Sequence, residues 1–378
     1  MERLPLAVCL MIKNEREFLS TCLGSVCEWA EEIVIGDSGS SDGSQEMARE
    51  FTSRVPRLEI FTLEWRDDFS WGRNQVAKKA QSEWIFFLDG DEWIDDLTRQ
   101  GIEECIRSGR AEAYSLIQRN YTRDPSVEMS RPLSAPYPKG LEEFQSAPLF
   151  YLENSMERLY RRESGLVYEG IIHESLLPSA KRLNKACEKT SLIIHHAGRL
   201  KKQSTDKAAY YLSLSRKKLE REPQNAAAWI EVMMTLMELK EFDAAYEFAQ
   251  EATKFFKSEP EVYKLSFQAA QRAEDWLVAE RWIRHYLSFY PQDSYAQGQL
   301  TTALLYQGKL DECARLAESI LKSDPNHFIA HVNLAVIFFE RQNWKEASFH
   351  IAQGLQMRPE DQFLRDAMSK IPTAFQIR

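Results

Sequence analysis

Apolar residues in the first ninety positions fall into short unbroken runs, separated by stretches with helical spacing. Leu6-Ala7-Val8-Cys9-Leu10-Met11-Ile12 contains no polar member, which predicts a strand covered on both faces. Phe18, Leu19, Cys22, Leu23 and Val26 then recur with the 3.6-residue period of a helix. Ile33-Val34-Ile35 predicts a second strand, running into Asp37-Ser38-Gly39-Ser40-Ser41-Asp42-Gly43-Ser44. There the glycines permit tight turns and a Ser or Asp can cap a helix beginning near Gln45. A strand over 58–63, a helix over 71–80 capped by Ser70, and a strand over 84–88 continue the alternation. Strand and helix in strict turn imply parallel pairing with right-handed crossovers, an α/β domain.

The pattern changes in the second half. Pro223, Pro260, Pro291, Pro325 and Pro359 recur at a spacing close to that of tetratricopeptide repeats. Trp229, Ala245 and Ala252 take large, small and small positions of one unit, and Tyr263, Ala279 and Tyr286 those of the next. Leu300 and Cys313, then Leu334, Ala335, Phe338 and Ala347, carry the register onward. Small residues let paired helices approach, and the prolines are expected to stop each second helix. The expected layout is an α/β domain over 1–200, a helical linker over 201–225 and about four repeats over 226–378.

Composition narrows the class. The chain has 378 residues, 44% hydrophobic and 28% charged, as in a soluble globular protein of two or three domains. A net charge of −9 argues against nucleic acid as partner. The six cysteines lack C-x-x-C spacing, and Cys9, Cys22 and Cys27 read as small buried hydrophobes of a reducing compartment. With no signal-peptide core and no apolar run near membrane-spanning length, the expectation is a cytoplasmic protein whose membrane contact is at most peripheral to the inner face.

The candidate chemistry gathers at strand ends. Trp84-Ile85-Phe86-Phe87-Leu88 discharges into Asp89-Gly90-Asp91-Glu92. In extended backbone residues i and i+2 share a face, so Asp89 and Asp91 are expected to project together where open α/β sheets hold ligands. Two hard oxygen ligands suit Mg²⁺ or Mn²⁺ carrying a diphosphate. Lys13-Asn14-Glu15, the Asp37–Asp42 loop and Asp89–Glu92 would line one crevice, with Asp37 reaching ribose or base and Asp42 organising its own turn. Neither G-x-G-x-x-G nor G-x-x-x-x-G-K-[ST] occurs, which disfavours dinucleotide and P-loop chemistry.

In order along the chain stand a strand ending in Lys-Asn-Glu, E-I-V-I-G-D-S-G-S-S-D-G, W-R-D-D-F-S-W-G-R-N and W-I-F-F-L-D-G-D-E. This order resembles the family 2 glycosyltransferases of GT-A fold. It is similar in layout to the subgroup with C-terminal tetratricopeptide repeats, such as the sublancin-type peptide S-glycosyltransferases. The resemblance implies a nucleotide-sugar donor, usually linked to UDP, a divalent metal and inversion at the anomeric carbon. It implies that Asp37 meets the nucleoside, Asp89 the ribose or sugar and Asp91 the metal, with Asn14 and Glu15 in the donor loop. Arg73 and Asn74 match the family's R-N pair. Arg73 would steady the donor through its planar fork, or else pair with Asp67 or Asp68 at the surface. His196, in His196-Ala197-Gly198, matches the late histidine that serves as a further metal ligand, leaving His195 to pack or meet solvent.

The proline-rich segment 120–150 suits a lid or acceptor loop. Short strands are expected over 157–161 and 166–172, the second ending in His173-Glu174. Inverting transfer is a single displacement and needs a base, for which Glu174 is favoured over His173. Residues 181–222 carry twelve Lys or Arg against four Asp or Glu, read as a solvated linker helix over 203–222 or else as charge facing the donor diphosphate or an anionic acceptor.

Two classes of function follow. The first is a transferase moving a hexose to a peptide or protein side chain, or to an envelope glycan or lipid-linked acceptor, with repeats that hold the acceptor, a protein partner or a second copy. The second is a repeat-based binding protein with an inactive transferase head.

Overall fold

The unbroken apolar runs become the middle of a mixed sheet in the computed structural model, which describes residues 3–124, 130–134, 136–144, 146–200 and 205–375. The chain divides into two units, Met1–Tyr210 and Tyr211–Arg378.

In the first unit β1 (Leu4–Ile12), β2 (Ala30–Asp37), β3 (Arg57–Thr62) and β4 (Trp84–Asp89) lie parallel in the order β3-β2-β1-β4. Helices α1 (Arg16–Val26), α2 (Ser44–Arg49) and α3 (Phe69–Ala77) are the crossovers. Alternation along β1 feeds two cores. Leu6, Val8 and Leu10 join Leu19, Cys22 and Leu23 on one face, while Ala7 and Cys9 join Val76 and Phe87 on the other. Covering both faces is what an apolar run without polar interruptions requires.

The chain continues with β5 (Glu92–Ile94), α4 (Asp96–Ser108), β6 (Ala113–Thr122), β7 (Arg131–Pro132), β8 (Phe150–Arg161), α5 (Leu177–Leu183) and β9 (Cys187–His196). The full order is β3-β2-β1-β4-β8-β6-β9-β5, with β7 on β8. Beyond β4 the pairings are antiparallel except for β6 with β9, which run parallel. Pairing of β6 with β8 slips once: Tyr114 faces Leu159 and Ser115 faces Glu157, so Arg158 is the extra residue of a bulge. Bulges bend a strand and re-aim a side chain.

Several local expectations change. α3 starts at Phe69 with Asp68 as its cap, accepting from Trp71 N at 2.9 Å, and Ser70 donates to the same carboxylate at 2.7 Å. β8 begins at Phe150, because pairing along all of β6 extends it beyond 157–161. Residues 166–172 form no strand. A single bridge between Glu169 and Ser175 closes a loop in which Gly170 and His173 have φ of +110° and +51°, backbone that no strand adopts. In 120–150, Pro125 lies outside the described residues. Around it, Tyr121, Leu141, Phe144 and Leu149 pack with Phe18, Trp93 and Ala197 in a small core of their own.

The second unit contains α7–α14 as four helix pairs, preceded by α6 (Thr205–Arg221) and followed by α15 (Gln362–Lys370). The pairs are α7 (Ala226–Glu238) with α8 (Phe242–Phe255), α9 (Pro260–Arg272) with α10 (Trp276–Phe289), α11 (Ser294–Tyr306) with α12 (Leu310–Ser323), and α13 (Phe328–Glu340) with α14 (Trp344–Met357). Of the linker helix expected over 203–222, residues 203 and 204 lie outside the described residues. First-helix caps fall at 225, 259, 293, 327 and 361, each 34 after the last. The prolines wander because Pro260 opens α9, where a missing N–H costs nothing, whereas Pro291, Pro325 and Pro359 lie in the preceding turns. Ala245, Ala279, Cys313 and Ala347 are fully buried at the helix crossings. Trp229, Gln297, His331 and Arg365 each donate to the carbonyl of the proline six residues back, at 2.9, 2.6, 2.9 and 2.7 Å. No helix among the described residues is long and apolar enough to cross a membrane.

The fourth repeat buries two contacting imidazoles. His331 spends its Nε2 proton on Pro325, so its Nδ1 accepts from Nδ1–H of His350 at 2.9 Å. Burial, with His331 adding to it, pushes His350 down to about 4. The unfolded chain titrates near 6.5, so it binds the extra proton first as pH falls. Stability of the repeat unit should therefore decline below about pH 6.5 and level off below the folded value, losing about 3 kcal/mol in all. Urea melts from pH 7 to 4, with and without His350→Leu, test this: an unchanged pH dependence in the variant would remove His350 as the cause.

Candidate active site

The carboxyl ends of β1 and β2 are pinned to each other by short polar side chains. Asn14, at φ +58°, donates its backbone N–H to Ser40 Oγ at 2.9 Å and accepts from Ser41 N at 2.8 Å. Glu15 N donates to Ser44 Oγ at 2.9 Å, and Arg16 N to Asp42 at 3.0 Å. Asp42 also accepts from Ser44 N at 3.0 Å, and so organises the turn. Asp37, fully buried, takes Gly39 N and Ser40 N on Oδ1, each at 2.8 Å, while its Oδ2 has no protein partner. A buried carboxylate oxygen left open at the end of a sheet strand could be satisfied by a ligand hydroxyl or N–H. Lys13 and Asn14 are exposed at its rim.

β4 ends at Asp89, and Gly90 and Asp91 form a turn rather than continued strand. Strand alternation therefore does not govern Asp91, and the two carboxylates find different partners. A Cβ on Gly90 would lie 2.6 Å from Glu15 Cβ, so only glycine allows this turn to sit against the β1 loop. Antiparallel pairing of β5 with β9 sets Glu92 opposite His196, which carries the His196 ring to Asp91, Nε2 to Oδ1 3.4 Å. On its other side His196 Nδ1 meets Asn120 Oδ1 at 2.6 Å. The Asn120 amide N–H is given to Gln118, so its oxygen accepts and Nδ1 carries the proton. Nε2 is thereby turned to Asp91. Burial works against the imidazolium, but the hydrogen bond and charge of Asp91, with Glu92 and Asp89 behind it, raise the His196 pKa. A Cβ on Gly198 would stand 2.5 Å from His196 Nε2, which accounts for the glycine two residues on.

Asp91 and His196 are the pair that could take a divalent cation, the ring being oriented by an outer partner as metal-binding histidines are. No group of three or more His, Cys, Asp or Glu suited to a metal occurs among the described residues. The remaining positions on a hard cation would fall to diphosphate oxygens and water.

Asp89 faces away into charge. Its Oδ1 accepts from Arg73 Nη2 at 2.9 Å and its Oδ2 from Arg158 Nη2 at 3.0 Å. Arg73 Nε bonds Glu174 Oε1, and the guanidinium lies over the rings of Phe87 and Tyr168 at 5.2 and 5.6 Å. Arg158 Nη2 also reaches Glu92 Oε1 at 3.1 Å. Glu92 in turn accepts from Asp89 N at 2.7 Å and from Gln118 Nε2 at 2.5 Å. Glu174, Arg73, Asp89, Arg158 and Glu92 thus alternate in sign. Burial resists charge on Asp89, yet Arg158 and Arg73 hold its carboxyl far below the usual range. On Glu92 burial dominates and raises the pKa despite Arg158.

Arg73 therefore pairs with Asp89 and Glu174, and neither Asp67 nor Asp68 is among these partners. Asn74 exchanges hydrogen bonds with the Tyr168 backbone at 2.9 and 3.0 Å, tying α3 to the loop that carries Glu174. His173, next to it, is exposed. His195 packs between Trp93 and Tyr121, bonds Tyr121 OH at 2.6 Å, and is pushed down to about 4 by burial. Sequence reasoning missed Arg158 and Asn120, and placed Glu92 in the crevice without a role of its own. The available signals were an arginine inside the apolar end of β8 and the glutamate completing D-G-D-E.

Residues 7–164 match the model of Glycosyl transferase family 2. A TPR repeat-containing protein of Synechococcus elongatus is 28% identical over 141 residues, covering 33% of this chain and 34% of that protein. The SPbeta prophage-derived glycosyltransferase SunS of Bacillus subtilis is 35% identical over 82 residues, covering 22% of this chain and 19% of SunS. The matched stretches thus span about a third or less of these relatives. The crystal structure of YrrB, a TPR protein with an unusual peptide-binding site, aligns at TM-score 0.39 and 17% identity, covering 43% of this chain and 84% of YrrB.

Proposed function

We propose that this chain, a family 2 glycosyltransferase domain followed by tetratricopeptide repeats, moves a hexose from a UDP-sugar to a protein or peptide side chain with inversion. One observation carries this reading: a buried Asp37 with an open oxygen ends β2, the Asp91–His196 pair stands just past β4, and Arg73 of α3, joined to Glu174, meets Asp89 at the end of β4. Asp37 would accept from the nucleoside. Asp91 and His196 would hold Mg²⁺ or Mn²⁺, which supplies positive charge for the leaving diphosphate. Asn14 and Glu15 would border the donor. Asp89 has both oxygens committed to guanidiniums, so its part would be to fix Arg73 against the donor's sugar, a group that UDP alone lacks. Glu174 would take the acceptor proton, with Arg73 Nε holding one of its oxygens and setting the direction of the other. His173, exposed beside it, is the second candidate.

The array would bring the acceptor. Repeat units stack into a groove suited to an extended segment, which raises the local concentration of acceptor. Transfer to an envelope glycan or lipid-linked acceptor, and a binding protein with a silent head, are the competing readings. Release of UDP from UDP-hexoses by the purified chain eliminates the silent head. Mass spectrometry of hexosylated peptides from cells with and without the gene separates the acceptor classes.

Without a cation, Asp91 and a diphosphate would face each other, each like-charge pair costing on the order of 4 kcal/mol at close range and an effective dielectric of 20. Chelation should abolish UDP binding in a calorimetric titration, and Asp91→Asn should do the same with circular dichroism unchanged. Full UDP affinity in excess chelator would sink the metal assignment.

Glu174→Gln keeps an oxygen for Arg73 but removes the base. Transfer should fall about 10²–10⁴-fold while UDP affinity stays near normal. Transfer at the native rate would pass the role to His173.

A chain ending at Glu222 should still bind UDP with metal but lose transfer to the natural acceptor, circular dichroism confirming that it is folded. Undiminished transfer by the folded shortened chain would assign the repeats to some other partner.

A further inference from the structure

We infer that Arg158 is a positioning residue that acts through Asp89 and Arg73 to hold Glu174 in place. This rests on the transferase reading with Glu174 as base. Arg158 is only 1% exposed, and its Nη2 is engaged by Asp89 and Glu92, so it acts on these carboxylates. Its place is unusual for a guanidinium: it is the extra residue of the β6–β8 bulge, directly followed by fully buried Leu159 and nearly buried Tyr160. The bulge frees it from strand alternation and aims it at the end of β4.

From there it completes a three-point grip on Asp89. Arg158 takes Oδ2 at 3.0 Å, Glu92 takes the backbone N–H at 2.7 Å, and Oδ1 is left facing Arg73 Nη2 at 2.9 Å. Arg73, kept in plane by Phe87 and Tyr168, then gives Nε to Glu174. Arg158 Nη2 lies between Asp89 and Glu92 and meets both, at 3.0 and 3.1 Å. Without that nitrogen, the two carboxylates would confront each other with no cation between them. Arg73 would be drawn toward the pair and away from Glu174. A lysine keeps the charge on a different, shorter stem, so Arg158→Lys tests where the bridging nitrogen is placed as well as its charge.

The test uses the full chain with Arg158→Lys, Arg158→Met and the double variant Arg158→Met/Glu92→Gln. UDP with Mn²⁺ is titrated to count sites and measure affinity. Release of UDP from UDP-glucose, UDP-galactose and UDP-N-acetylglucosamine is then expressed per UDP-binding site, and melting is followed in parallel. We expect both single variants to keep UDP affinity within about threefold and to lose about 10²-fold in turnover per site, the size typical of a misplaced catalytic group. The double variant should regain stability lost in Arg158→Met, since no carboxylate is stranded, yet stay slow. A merely structural arginine would lower the melting point and the number of sites while leaving turnover per site unchanged. Normal turnover per site in Arg158→Lys and Arg158→Met, or its recovery in the double variant, overturns the inference. If the wild type neither binds UDP nor releases it from these donors, the transferase reading itself falls and this inference with it.

Discussion

Two guanidinium groups lie almost wholly inside the first unit, and neither can shed its charge. Arg73 and Arg158 are 4% and 1% exposed, and arginine stays protonated under any condition the fold survives. Burying them obliges carboxylates to follow. Asp89 supplies one oxygen to each, Glu174 meets Arg73 as well and Glu92 meets Arg158 as well. Much of the local architecture answers that constraint: the early end of β4, the closed 169–175 loop and the bulge in β8. Well-packed apolar residues of similar volume often serve stability as well or better, whereas losing one partner of such a pair costs about 3–5 kcal/mol. The arrangement makes sense as a device for placing charge at the end of β4.

The rest of the site is delivered by backbone pairing. Register between β5 and β9 carries His196 to Asp91, and the residue before it, His195, to the aromatic stack of Trp93 and Tyr121. That stack belongs to the small core supporting the segment around 131–149. The candidate acceptor segment therefore packs on Trp93 of β5 and on Ala197 just past β9, the two strands that bring Asp91 and His196 together. On the other side, serines of the 38–44 loop hold the β1 and β2 ends together through hydrogen bonds to Asn14 and Glu15.

The second unit is governed by a simpler rule. Helix caps recur at a constant interval because each helix pair must present the same apolar face to the next. Proline position is free to vary within the turn, and a side chain one turn into the next helix satisfies the carbonyl the turn leaves open.

The linear order of residues determined the strands buried on both faces, the alternation that makes a parallel sheet, and the repeat array. Each of these is written in local periodicity, which tertiary contacts only reinforce. It also marked Asp37, Asp89, Asp91, His196, Arg73 and Glu174 as chemically distinctive by type and by place after a strand or beside a turn. The partners of these residues were another matter. That Asp89 would serve two arginines while Asp91 turned to His196 depends on where β4 stops, and that depends on packing against Glu15 through Gly90. That Arg158 would point inward depends on a slip of register between strands about forty residues apart in the chain. That 166–172 would loop rather than extend depends on backbone near Gly170 and His173 that the apolar spacing conceals. Such features arise from non-local pairing and from burial of charge, both of which require the folded neighbours to exist before they have any meaning.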